Sequence, residues 1–304
     1  MMLNRLTKDG VLLLTMLIGL AGVVGLSQRI DSRKQRIAST VVEEDQLYLE
    51  GPTAKRISLC FNGLAADWYW MRSLQYVGRK VLSRPGDIRL DNLGQLNLKL
   101  LAPLLDTATT LDPEFMEPYE YAALVLPGVS VEDAIRITEK GVAANPSAWR
   151  LFQQLGYIYW QQKNFAAAGE SYGRGAAIPG APTWMQAMKA RMATEGGSRK
   201  TAREIYQRMF EQAGDDEVRN TALQHLLQLD SLDQRDALSK MLSAYQVRVG
   251  RCPASWRDLE ADLRSLRFPV DTSGAPLDPT GVAYVLVNSN CDVDLGQNSK
   301  ISRQ

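Results

Sequence analysis

Histidine is almost missing from this 304-residue chain, where His225 stands alone. A His-dependent catalytic triad would have to use it, and a histidine-cluster metal site cannot be built. His225 lies in TALQHLLQL, a helical run, where a packed or surface role is expected. Cysteine is scarce: Cys60, Cys252 and Cys291 form no C-x-x-C, which excludes a zinc ribbon or a thioredoxin-like motif. Cys252 and Cys291 could close a loop in an oxidising compartment, or stay as two separate buried thiols. Cys60 is expected to be buried as a small apolar residue. There is no charge of one dominant sign; the formal net charge is +1, which gives no bias toward nucleic acid. No G-x-x-x-x-G-K-[ST] occurs, and GRGAAIPG does not match G-x-G-x-x-G. Paired carboxylates such as Glu43–Glu44 and Asp215–Asp216 are expected to be solvated. The chain is therefore read as carrying no catalytic centre and no cofactor.

One apolar run stands out. Residues 11–26 read VLLLTMLIGLAGVVGL, without charge, after Arg5 and Lys8. A span of about 17 residues is the short end of what crosses a bilayer. Val11, Leu14, Leu17, Leu20 and Val24 are expected to face lipid, and a cleaved secretory signal is the competing reading. Arg29, Arg33, Lys34 and Arg36 follow the run, and the positive-inside rule alone would keep the body in the cytoplasm. The short N-terminal tail and the Cys252–Cys291 pair argue for an exported, periplasmic body on a single-pass inner-membrane anchor, which is the expectation adopted.

From about Ile57 to Val249 apolar residues recur three and four apart between Pro and Gly clusters, a helical signal. Asn62–Lys80 is an amphipathic helix with Trp68, Tyr69, Trp70 and Tyr76. A second helix is predicted over about Leu93–Leu111. The aromatic residues either plug the end of the helical stack or form an exposed patch, on a partner or a membrane surface. A period near 34 follows. Phe152, Leu155, Gly156, Tyr159, Ala168, Tyr172, Gly175 and Pro179 form the strongest copy. Weaker ones contain Ala122, Ala134, Gly141 and Pro146, then Ala108 and Pro113, and, forward, Ala190, Ala193, Ala202 and Tyr206. These residues resemble the tetratricopeptide repeat, best over residues 113–215. The resemblance implies helical hairpins stacked into a solenoid. Carried over by register, its groove positions fall on Tyr119, Arg150, Gln153, Tyr157, Trp160, Trp184 and Arg191. Tyr, Trp and Arg suit a binding surface.

Past Gly250 the helical pattern stops and turn-formers take over. Val282–Val287 and about Asp292–Leu295 are predicted strands. Pro253, Trp256, Leu259, Pro269, Asp271, Gly274, Asp278, Pro279, Gly281 and Tyr284 resemble the C-terminal part of type II secretion major pseudopilins. That resemblance implies a small α/β-hairpin module, sometimes calcium-loaded. Asn290, Asp292 and Asp294 offer oxygens, but Leu295 stands where an EF-hand needs Gly. The Asp292/Asp294 pair is read as solvated, so no metal is expected, with calcium as the alternative.

The expected protein is mainly α. It has an anchor over 1–28, a polar stem over 29–56, a TPR-like α-solenoid over 57–249 and a pseudopilin-like module over 250–304. Its expected role is a membrane-tethered scaffold holding a protein or peptide, not nucleic acid. A permanent structural subunit of a membrane or envelope complex is the alternative.

Overall fold

The computed structural model describes residues 19–25, 48–83, 90–287 and 291–303. They form a mainly helical chain that ends in one small antiparallel two-stranded sheet. Residues 19–25 are helical, with Leu20, Val23 and Val24 exposed. Val11, Leu14 and Leu17 lie outside the described residues, as does most of the predicted stem. Among the described residues no helix is long and apolar enough to cross a membrane.

The first packed elements are α1 (Gly51–Ile57), α2 (Asn62–Leu82) and α3 (Leu101–Leu111). Ala66, Tyr69, Ser73 and Tyr76 recur at helical spacing and give α2 its buried stripe, which packs on α3. The helix predicted over Leu93–Leu111 is split into a 3-10 turn, Leu90–Leu96, and α3. Pro103 is the cause. It has no N–H and its ring crowds the carbonyl four residues back, so it is tolerated only in a first turn. Cys60, expected to be buried, is exposed. It sits with Leu59 in the α1–α2 turn, and both have left-handed backbone, φ 76° and 46°.

Six helices follow in pairs: α4 (Met116–Val125) with α5 (Val131–Ala144), α6 (Trp149–Gln161) with α7 (Phe165–Ala176), and α8 (Trp184–Glu195) with α9 (Arg199–Glu211). Each packs against the next, and α3 also touches α5, as α4 touches α6. Ser130 caps α5 and Asn164 caps α7, each accepting from the backbone N–H three residues on. Val131, Phe165 and Arg199 open the second helix of each pair, in two equal steps of 34. Ala134, Ala168 and Ala202 keep that step and are fully buried, where only a small side chain lets the helices close. The first helices of the first two pairs differ by one residue. Pro118, Tyr119, Ala122, Ala123 and Val125 are buried on α4; Leu151, Phe152, Leu155, Gly156 and Ile158 are buried on α6, every one 33 positions later.

α10 (Asp216–Val249) is a single helix of 34 residues. Asp215 caps its start, accepting from Val218 N–H at 2.8 Å, and Gly250 ends it in left-handed backbone at φ 78°. Its first half packs on α9 and shares a core with Ala190, Ile205, Tyr206 and Met209. Arg199 and Arg203 reach across to Asp230, Asp233 and Asp236. The second half gives Leu238, Met241 and Leu242 to a separate core with Trp256, Leu259, Leu263, Tyr284, Val293 and Leu295. The C-terminal module therefore borrows part of its core from the helix before Gly250. It holds the 3-10 turn Trp256–Leu259, α11 (Glu260–Ser265), β1 (Val285–Val287) and β2 (Asp292–Asp294). Two turns precede the strands. Asp271 and Asp278 each accept from backbone N–H groups two and four residues on, with Gly274 and Gly281 left-handed at the third position.

Candidate functional site

A cleft of about 760 Å³ lies between α4 and α6. Pro127 shapes one wall. It stops α4 at Val125, and a 3-10 turn, Leu126–Gly128, carries the chain away. One wall is Ala123 and Leu124 with Pro127 and Gly128; the other is Gln153, Gln154, Tyr157 and Gln161 on α6. Leu124 is 62% exposed and Tyr157 47% exposed, so apolar surface faces solvent from both walls. Gln154 Oε1 is buried from solvent and has no hydrogen-bond partner. An unsatisfied buried acceptor costs about 1–3 kcal/mol.

The cleft continues along α6 into a pre-formed aromatic edge. The rings of Tyr157 and Trp160 meet edge-on at 5.8 Å. Trp160 Nε1 donates to Glu195 Oε2 and Arg191 Nε to Glu195 Oε1, both at 2.7 Å. The Arg191 guanidinium lies 4.8 Å above the Trp160 ring. Near the start of α6 the guanidinium of Arg150 covers Trp149, which meets Trp184 edge-on at 6.4 Å. That second aromatic cluster lies away from the cleft lining.

Of the seven residues expected in a groove, Gln153 and Tyr157 line the cleft, and Trp160 and Arg191 extend its rim. Arg150 and Trp184 are exposed but belong to the Trp149 cluster. Tyr119 is corrected: it is fully buried, and its hydroxyl donates to Thr109 O at 3.4 Å. Burial pushes that hydroxyl up to about 12. Leu124, Gln154, Gln161 and Glu195 were missed. The signal for Leu124 was an apolar residue on a helix face it shares with Glu117 and Tyr121.

The other predicted positions are placed as follows. Cys252 and Cys291 are joined as a disulfide, with Cα atoms 5.6 Å apart. Asp292 Oδ1 accepts from Ser239 Oγ at 2.7 Å, tying β2 to α10, and Asp294 Oδ1 accepts from Leu295 N. Asn290 lies outside the described residues. Among the described residues no group of three or more His, Cys, Asp or Glu could hold a metal. His225 stacks on the ring of Tyr206 at 4.6 Å and meets Gln228 through Nδ1. Comparison with known proteins yields no family model and no curated protein that matches the chain.

Proposed function

We propose that this protein is a membrane-tethered scaffold whose paired helices form a TPR-like array, and that the α4–α6 cleft docks a segment of a partner protein. The single observation that carries the reading is the cleft itself. Exposed Leu124 and Tyr157 face it, with a rim of Trp160, Arg191 and Glu195. Few exposed apolar side chains flanked by ordered polar groups is the make-up of a hot spot. The 34-residue step of the second helices and the small residues buried at that step support the array. The apolar run over residues 11–26 supports the tether, and the Cys252–Cys291 disulfide supports an exported body. The turns at Asp271 and Asp278 support a pseudopilin-like end module.

A photo-crosslinking amino acid in place of Leu124 tests the docking reading in membranes of the native host. It should trap one discrete protein adduct, while the same group at exposed Lys200 on α9 should not. Identical adduct patterns from both positions would overturn the proposal.

A further inference from the structure

Exposed apolar side chains crowd one short stretch of this molecule. Ile57, Leu59, Phe61, Leu64, Trp68 and Met71 all fall within residues 57–71, and each is at least half exposed. Phe61, Leu64, Trp68 and Met71 follow steps of three, four and three, one face of α2. That face is opposite the stripe of Ala66, Tyr69, Ser73 and Tyr76 that packs on α3. Ile57 and Leu59 extend it into the preceding turn, where Leu59 and Cys60 have left-handed backbone. Leu59 is 78% exposed. A packed helix has no need of an apolar outer face, and a contiguous exposed apolar patch marks an interaction surface.

We propose that the α1–α2 edge rests in the interfacial layer of a bilayer carrying anionic lipid. Three features on this edge select lipid. The first is position: the apolar run ends at Leu26 and α1 begins at Gly51, so the first packed helices are the part of the body that follows the tether most closely in sequence. The second is charge. Lys55, Arg56, Arg72 and Arg79 lie on this edge, against Asp67 as the one acid in residues 51–83. Lys and Arg beside an exposed apolar face are what anionic headgroups attract. The third is side-chain type: Trp68, with the Arg72 guanidinium 5.1 Å from its ring, has the amphipathic form that settles at headgroup level. The inference rests on the tether in the proposed function and is independent of the cleft.

Cys60 supplies the probe. It is exposed within the patch, and the other two cysteines are joined to each other. The full chain, labelled at Cys60 with an environment-sensitive fluorophore, is reconstituted into vesicles containing phosphatidylserine. The emission should be blue-shifted, quenched by brominated lipid and protected from iodide. A label on Lys200→Cys in a Cys60→Ser chain should behave as in water. Leu64→Glu with Trp68→Glu should return the Cys60 label to water while the chain still floats with the vesicles and melts at the same temperature. A Cys60 label open to iodide overturns the inference. So does a label shielded from both iodide and brominated lipid, which would mean a protein covers the face. A chain that fails to float overturns both this inference and the tether. The cleft is judged separately, by its own crosslink.

Discussion

A methyl group at Gly156 would stand 2.9 Å from the buried ring of Tyr172, with the rest of α7 behind it. Neither ring nor helix can retreat without opening the core, so Gly156→Ala should cost about 1–3 kcal/mol. Gly78 on α2 has nothing within 4 Å of the same added atom. Gly78→Ala should be neutral or stabilising by up to about 1 kcal/mol, because alanine loses less backbone entropy in a helix. Chemical denaturation of the two variants separates these outcomes. Asp278 makes a pH prediction. Burial alone would raise its carboxyl, but hydrogen bonds from Ser299 and Thr280 side chains and from the Val282 and Thr280 amides outweigh it and hold the group below the usual carboxylate value. A depressed folded-state value stabilises fully above the unfolded carboxylate pKa, about 4, and the gain is lost as pH falls through the folded value. Asp278→Asn should therefore be less stable than the parent by about 1–3 kcal/mol at pH 7, and the gap should shrink at pH 3. Thermal unfolding at both pH values checks this.

At the scale of elements, the Cys252–Cys291 link joins the chain just past α10 to the residue before β2 across 39 positions. Closing a loop of that length restricts the unfolded chain by about 2–4 kcal/mol. Reduction, or Cys252→Ser with Cys291→Ser, should make the C-terminal module the first part cut by protease while the α4–α9 helices resist. Lys140 gives α5 a comparable fastening. Its ammonium, with three N–H donors, lies within hydrogen-bond reach of four acceptors on α3, Asp106 O, Asp106 Oδ1, Thr109 Oγ1 and Thr110 Oγ1, at 2.6–3.0 Å. Burial pulls the ammonium's pKa down, so this fastening relies on the hydrogen bonds that surround it. Lys140→Met should cost about 1–3 kcal/mol, read by the same denaturation.

Across the whole molecule, the cleft should be separable from stability. Leu124→Ala with Tyr157→Ala removes two exposed side chains, so melting should hold while partner affinity falls by about tenfold or more. Pairwise binding to the crosslinked partner measures it. The helical pairs were legible in the sequence because packing demands small residues at a fixed step, and Ala134, Ala168 and Ala202 keep that step. The cleft was only half legible, for one physical reason. A step of 34 sets Tyr119 beside Gln153 as a groove residue. The α4-to-α6 step is 33, and one residue turns a helix by about 100 degrees, which carries Tyr119 into the core with Phe152. The same correction sets Leu124 opposite Tyr157, where the structure has it. The split before α3 and the exposure of Cys60 were hidden for local reasons, Pro103 and a left-handed turn. The outer face of α2 could be read either way from sequence, since both sides of that helix carry aromatic residues.

α10 runs without a break through two cores, about 50 Å at the helical rise. Mechanically it is a common girder. A load applied at the C-terminal module is carried lengthwise into the contact with α9, with no pliable joint between the two ends to absorb it. Tension on the C-terminal module is therefore felt at the α9 contact.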